Sequence, residues 1–416
     1  MFNYLFAKRY NGKMVLRVED TDQTRFVPGA EQYIVDCLEW CGIVTDESPL
    51  QSGPYGPYRQ SDRKPMYRQY AEQLIVQGDA YYAFDTPEEL EKRREDLKTP
   101  ENPSPQYDIT TRMRMRNSLS MPPGEVDALL EAGIPYVIRF RMPEGETIQF
   151  DDLIRGSISN DTGLLDDKVL LKSDGMPTYH LAVVVDDYLM KISHIFRGEE
   201  WLPSAPLHVL LWKKLGWEQD MPHFGHLPLI LKPDGNGKLS KRDGDRLGFP
   251  VFAMDWTDPQ TGEKTIGFKE RGFLPEAFLN MLAFLGWHPG TEQEIFSLAE
   301  LEAAFSVERI SRSGAKFDYE KAKWFNQQHI QRTDNAVLAA GVLPFLEAAG
   351  LPVDNKDVLV RVVSLVKDRC HTLADFAEQS AFFFRAPEQI DLDSIRGKWT
   401  PEKQPSTGNG LITLTR

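Results

Sequence analysis

Apolar residues between Met1 and Tyr10 fall at helical spacing, and the pattern stops at Asn11-Gly12, a pair suited to ending a helix. Met14 to Val18 reads as a short buried strand running into Glu19-Asp20-Thr21-Asp22, which sets carboxylates at a strand's carboxyl end, where open parallel sheets bind ligands. Ala30 to Trp40 is an amphipathic helix, Gln51 to Tyr58 a Gly/Pro/Tyr loop, and Tyr67 to Gln77 a helix closed by Gly78-Asp79. From about Thr86 to Asp152 the texture changes to a charged helix, a Pro/Asn/Ser stretch at Thr99 to Pro105, and strand-like runs such as Tyr136 to Phe140. This segment is expected to be an insertion between two halves of a sheet. Val169-Leu170-Leu171 and His180 to Val185 restore buried-strand character, and His194 to Gly198 reads as a further strand end. Trp201 to Leu215 predicts a helix with Pro203 and Pro206 in its first turn. Pro275 to Leu285, and the chain on to about Arg385, read as mostly helical. The tail Gly397 to Arg416 is polar without a clear period and is expected to be poorly ordered.

Composition narrows the class. A chain of 416 residues, with 41% hydrophobic and 26% charged, is expected to form about two to four ordinary globular domains. No apolar run reaches the ~18 residues of a spanning helix, so no membrane partner is expected. The first cations follow the first apolar residues, the reverse of a secretory signal, which points to the cytoplasm. Cys37, Cys41 and Cys370 are too few for a disulfide framework or a structural zinc site. His223 and His226 lie three apart, but Pro222 and Gly225 spoil a helix there and no third ligand is apparent, so no metal site is expected. His180 reads as a core residue or one supporting a site from behind.

The net charge, 48 cations against 62 anions or −14, argues against a nucleic-acid partner only weakly, because phosphate binding depends on a local basic face. Local patches occur at Lys92-Arg93-Arg94, Arg139/Arg141 and Arg112/Arg114/Arg116. The last set alternates with Met113 and Met115, so an extended backbone would put all three guanidinium groups on one side, either to grip an RNA backbone or as a solvated strand face. The densest cluster is Lys238-Leu239-Ser240-Lys241-Arg242, directly after the exposed turn Pro233-Asp234-Gly235-Asn236-Gly237. Three cations and a hydroxyl on a short loop can close over a triphosphate, although a basic turn can also simply face water.

Five motifs in register remove much of that ambiguity. Leu16-Arg17-Val18-Glu19-Asp20-Thr21-Asp22, Gly53-Pro54-Tyr55-Gly56-Pro57-Tyr58-Arg59-Gln60-Ser61, Ser173-Asp174-Gly175-Met176-Pro177-Thr178-Tyr179-His180-Leu181-Ala182, Arg197-Gly198-Glu199-Glu200-Trp201 and Lys238-Leu239-Ser240-Lys241-Arg242 resemble bacterial glutamyl-tRNA synthetase, from Phe2 to about Phe384. The resemblance implies a Rossmann-type parallel-sheet catalytic domain with an inserted α+β acceptor-binding domain, followed by an all-α C-terminal region. It divides the chain into an incomplete first catalytic half (1–62), an inserted acceptor-end domain (63–172), a second catalytic half (173–235), a stem-contact region with the basic loop (236–312), a partial helical anticodon-binding region (313–396) and a tail (397–416).

The implied reaction is ATP-dependent activation of L-glutamate to glutamyl-adenylate and transfer of glutamyl to tRNA(Glu), with Mg²⁺ accompanying ATP, no zinc, and a monomeric enzyme. Both substrates bring their own reactive oxygens, so the work is positioning and charge stabilisation. By similarity Lys238, Leu239, Ser240, Lys241 and Arg242 would bind ATP, with the three cations stabilising phosphate charge and Ser240 a neutral donor. Glu19 would hold the substrate α-ammonium, Tyr179 would line the amino-acid pocket, and Arg197 would pair the side-chain carboxylate, a match that leaves glutamine with an ill-fitting amide. The alternatives are that Glu19, Asp20 and Asp22 form a capping cluster, Tyr179 is a core aromatic, and Arg197 pairs with Glu199 or Glu200.

The chain also departs from the family. Its first strand, reading like Arg-Phe-Ala-Pro-Ser-Pro-Thr-Gly, and its His-Ile-Gly-type signature have no counterpart, Val183 stands where an asparagine is usual, and the second helical subdomain for anticodon reading is not apparent. The expectation is a fragment or mis-started reading with little aminoacylation activity. Two other classes are a non-catalytic tRNA-binding remnant, whose RNA affinity would fall with salt while ATP affinity is negligible, and a related ligase glutamylating a modified tRNA nucleoside. The helical sequence after Pro275 speaks against the second of these.

Overall fold

A computed structural model describes residues 1–100 and 102–385, so the expectations for the tail 397–416 and the end of the 313–396 region lie outside the described residues. Local signals place the elements much as the pattern requires. The first helix, Phe2–Arg9, ends at Tyr10 with Asn11 at φ 53°, and the Lys64–Gln77 helix closes on Gly78 at φ 79°, a conformation glycine adopts without strain. The charged helix Pro87–Asp96 starts from a Thr86 capping box.

A four-stranded mixed sheet carries the centre of the molecule, in spatial order Gly156–Asp161, Thr147–Asp152, His223–Leu227, His194–Gly198. The first pairing is antiparallel and the other two are parallel. Along Thr147–Asp152 burial alternates strictly, so Ile148, Phe150 and Asp152 point inward together. A carboxylate is thereby delivered into the core. Within the expected insertion, Ala80–Ala83, Val137–Phe140 and Val169–Leu171 form a three-stranded antiparallel sheet.

Three large cores hold these layers together. One joins the three-stranded sheet to the helices Tyr179–Leu189 and Ala205–Lys214, so residues of the expected insertion share a core with those after 173. A second packs Phe2–Arg9 against Pro275–Phe284, Leu298–Ala304 and Tyr319–Arg332, with Phe2 stacked on Phe305 at 5.6 Å. It runs from Tyr4 to Phe325, so the expected boundary at 312/313 falls inside it. The third is all-helical, from Asn335–Ala348, Lys356–Val366 and Asp375–Phe384.

Three expectations are corrected. His180 to Val185 is not a strand but part of the Tyr179–Leu189 helix, in which Leu181 to Asp187 are all buried. A helix enclosed on every side shows the same continuous apolar run as a buried strand. Met14 to Val18 is extended but makes only single bridges, Val15 with Glu47 and Val18 with Arg59, because those partners sit in irregular backbone. Arg112–Arg114 is a short 3-10 turn rather than a strand, so the three arginines do not share one side. Trp201 to Leu215 is helical as expected, entered through the 3-10 turn Glu199–Ser204.

Asp186 fastens the enclosed helix to a distant segment. Its carboxylate accepts from Arg63 Nε at 2.6 Å, Gln60 Nε2 at 2.9 Å and the Tyr67 hydroxyl at 2.9 Å, all in buried surroundings. Asp186→Ala would strand the buried Arg63 guanidinium and should cost roughly 3–5 kcal/mol. The midpoint of urea unfolding reads this directly, and a loss under about 1 kcal/mol would show that the cluster does not hold these segments together.

Candidate active site

A cavity of about 920 Å³ brings Arg17, Glu19, Tyr179, Val183, Asp187, Arg197 and Trp201 to one surface. The three residues expected to hold the amino acid therefore meet. Glu19, at the end of the extended Met14–Val18 segment, keeps an exposed carboxylate 3.0 Å from Arg17 Nη2. Arg17 is itself gripped by Asp187, at 2.8 Å from Nη1, and lies 3.8 Å from Asp186. Burial pushes the Asp187 carboxyl up to about 6 although Arg17 pulls it down. Of the neighbouring acids, Asp22 caps the Gln23–Arg25 turn and accepts from Thr24, while Asp20 accepts the Ser61 N–H at 2.8 Å. Only Glu19 of that cluster lines the cavity.

Tyr179 opens the enclosed helix, with its ring 4.3 Å from Trp201 and its hydroxyl accepting from Arg197 Nη1 at 2.8 Å. Burial raises its phenol above the usual range. Arg197 stands beside His226 in the parallel register of two strands, and its Nε donates to His226 Nε2 at 3.0 Å. Nη1 also reaches His208 Nδ1 at 3.2 Å. Its Nη2 is buried and has no partner. Neither nearby glutamate pairs with it, because Glu199 sits 2.6 Å from Arg155 and Glu200 binds Lys238. The structural ion-pair alternative for Arg197 therefore falls away. Val183 presents a buried apolar side chain to the same cavity.

The basic run lies across the Gly198–Trp201 turn. Lys238 and Leu239, with Gly198, Glu200 and Phe268, line a second cavity of about 320 Å³. Gly235 and Gly237 take φ 82° and 89° in the preceding turn, as its composition demands. Only the first part of the run is loop. Ser240 is the N-cap of the Lys241–Leu247 helix and its hydroxyl donates to Asp243, while Lys241 and Arg242 form the first turn. Lys241 Nζ lies 3.3 Å from Glu263, and Arg242 is exposed with no ion pair among the described residues. Of the expected tRNA contacts, Arg112 is buried and committed internally to Asp167 at 3.3 Å, Glu144 at 2.6 Å and the Met142 carbonyl at 2.9 Å. That is a correction: its guanidinium holds the insertion together and is not presented to RNA. Arg114 is exposed and Arg116 half-buried.

Sequence reasoning missed Arg17, Asp187, His208, His226 and Asp152 around this cavity. His226 was weighed only as a metal ligand, yet its Nδ1 lies 2.6 Å from Asp152. The one legible signal was an acid at an inward position of an alternating strand. Among the described residues no group of three or more His, Cys, Asp or Glu could hold a metal ion.

The fold and this geometry agree with what the chain resembles. The family described as tRNA synthetases class I (E and Q), catalytic domain, matches residues 1–324, and an anticodon binding domain family matches residues 337–411. Glutamate–tRNA ligase of Amoebophilus asiaticus is 55% identical over 402 residues, 97% of this chain and 78% of that protein. The Porphyromonas gingivalis glutamate–tRNA ligase is 53% identical over 409 residues, 98% of this chain and 80% of that protein. A crystal structure of a glutamate tRNA ligase from Elizabethkingia meningosepticum, in complex with its amino acid, superposes with a TM-score of 0.91 at 49% identity, covering 97% of this chain and 79% of that one. The matched catalytic domain places the chain in class I of the tRNA synthetases. Within that class it belongs to the glutamate–tRNA ligase family.

The buried histidines give the protein a defined acid response. Burial pushes His180 and His329 down to about 4, and burial with Arg197 nearby pushes His208 well below its ordinary value. Unfolded chains bind those protons near pH 6.5 while the folded protein does not, so stability is full above about 6.5 and falls as pH drops towards about 4. Asp187, raised to about 6, opposes the trend by taking one proton in the folded state. Unfolding at pH 5 should thus take up protons on balance, read as the pH slope of calorimetric stability, and His180→Asn should reduce that uptake by about one. A flat profile between pH 7 and pH 5 would contradict this assignment.

Proposed function

We propose that this chain is a glutamate–tRNA ligase that uses ATP to form glutamyl-adenylate and then esterifies tRNA(Glu), with Arg197 as the partner of the substrate's side-chain carboxylate. The observation that carries the residue assignment is the buried, unpartnered Nη2 of Arg197 in a cavity that also holds Glu19 and Tyr179. A planar guanidinium with a donor to spare fits a carboxylate and meets an amide nitrogen with a second donor. Glu19 supplies the opposite charge for the α-ammonium, and the Tyr179 ring packs against Trp201 along the same wall.

In the first step a glutamate carboxylate oxygen bonds to the α-phosphorus as the bond to pyrophosphate breaks. In the second, the terminal ribose hydroxyl attacks the acyl carbon and AMP leaves. Negative charge spreads over phosphate oxygens in the first step, and Lys238, Lys241 and Arg242 are the cations offered to it. Lys238 and Lys241 are held by Glu200 and Glu263, so engaging a triphosphate means exchanging those carboxylates for phosphates. Ser240 acts first as the helix cap beneath them. Mg²⁺ would arrive with ATP.

The acceptor-end assignment of residues 63–172, with Arg114 and Arg116 as backbone contacts, the stem-contact assignment of 236–312 and an anticodon role for the helical region matched from residue 337 belong to the same reading. So do a monomeric state and a cytoplasmic location; among the described residues no helix is long and apolar enough to cross a membrane.

Glutamate-dependent ATP–pyrophosphate exchange in the presence of tRNA(Glu), together with calorimetric binding of L-glutamate, tests this. Arg197→Leu should weaken L-glutamate roughly 100-fold or more while ATP binding persists. Lys241→Ala should lower the exchange rate by about 100-fold with little change in L-glutamate affinity. Unaltered glutamate binding in Arg197→Leu would sink the residue assignment.

A further inference from the structure

Arg197 can only donate hydrogen bonds, and that constraint dictates the proton position on every ring around it. Its Nε points at His226 Nε2 (3.0 Å) and its Nη1 at His208 Nδ1 (3.2 Å), so both nitrogens must present lone pairs. His226 then carries its proton on Nδ1, aimed at Asp152 Oδ2 2.6 Å away. His208 carries its proton on Nε2, which meets His180 Nδ1 at 3.2 Å and leaves His180 protonated on Nε2. Three neutral imidazoles follow from one guanidinium.

Asp152 does not reach Arg197. Besides His226, its oxygens accept the backbone N–H groups of Ile154 at 2.9 Å, Arg155 at 2.8 Å and His226 at 3.1 Å. Among the described residues no carboxylate lies within ion-pair distance of the Arg197 guanidinium, whose protein partners are two imidazoles and the Tyr179 hydroxyl. His226 is fully buried, and His208 and Asp152 nearly so.

We propose that Asp152, His226 and His208 form a positioning frame that holds the Arg197 cation in place without neutralising it, and that this frame sets the preference for a carboxylate over an amide in the amino-acid pocket. The proposal rests on the reading of Arg197 given above. A carboxylate at either histidine position would satisfy the guanidinium before substrate arrives, and a protonated imidazole would repel it and remove an acceptor. Neutral acceptors do neither, so the unspent charge selects an anion. Burial and the neighbouring Arg197 keep His208 well below its ordinary protonation range, which fits the tautomers required by geometry.

Histidine ¹⁵N resonances of the full chain, assigned with single His→Gln variants, read the frame without any ligand. His226 should appear as the Nδ1–H tautomer, with His208 and His180 as Nε2–H tautomers. A cationic His226, or one protonated on Nε2, would overturn the frame. Calorimetry with L-glutamate, L-glutamine and ATP provides the second arm. His226→Leu should weaken L-glutamate by about tenfold or more and narrow the glutamate-to-glutamine ratio, and His226→Gln, which keeps an acceptor near the Nε2 position, should recover most of that loss. His208→Glu should collapse the ratio while ATP affinity stays within about twofold. Equal losses for all three ligands, or an unchanged ratio in His226→Leu and His208→Glu, would defeat the proposal. If instead Arg197→Leu leaves glutamate binding intact, the parent reading fails whatever the tautomers are.

Discussion

Two adjacent carboxylates inside one buried helix tie together parts of the chain that are remote in sequence. Asp186 holds Arg63, Gln60 and Tyr67, and Asp187 holds Arg17, which in turn contacts Glu19. The same helix begins at Tyr179, so the position of the aromatic wall and that of the acidic tip are set by one rigid element. Such a cluster is costly to bury and is tolerated only where nearly every lone pair finds a donor. Its ionic bonds compensate one another, whereas the neighbouring guanidinium of Arg197 has only neutral partners. Paired charge supports the cavity and unpaired charge equips it.

The basic run follows a related logic on the far side of the Gly198–Trp201 turn. Glu200 restrains Lys238 and Glu263 restrains Lys241, both at exposed positions where ion pairs contribute little and exchange readily. Ser240 and Asp243 cap the helix that carries Lys241 and Arg242. The cations are therefore oriented by backbone geometry while their charged heads remain available to a polyanion.

Elements with punctuation of their own were legible in advance. The helices Phe2–Arg9, Ala30–Trp40, Lys64–Gln77 and Pro275–Phe284 declare themselves through period and end signals, and the strand His194–Gly198 through its apolar run. Glu19, Tyr179 and Arg197 were named from motifs, and they line one cavity. What misled was burial on all sides: Leu181 to Val185 looked like a strand because a fully enclosed helix has no polar face to reveal its period. Arg112 misled for the converse reason, since an arginine in an alternating polar pattern gives no sign that Asp167 waits for it in the interior.

Composition and spacing pointed by themselves to the α/β class and the helical C-terminal region, because both are written in short-range pattern, and five motifs in order implied the chemistry through their resemblance to a known family. The tertiary structure alone decided which acid of the Glu19–Asp22 run faces the cavity, that Arg197 has no acidic partner among the described residues, and that His226 meets Asp152. Those contacts join residues from 29 to 74 positions apart. Hydrogen-bond partnership at such range depends on which strands lie side by side, and no local periodicity records it.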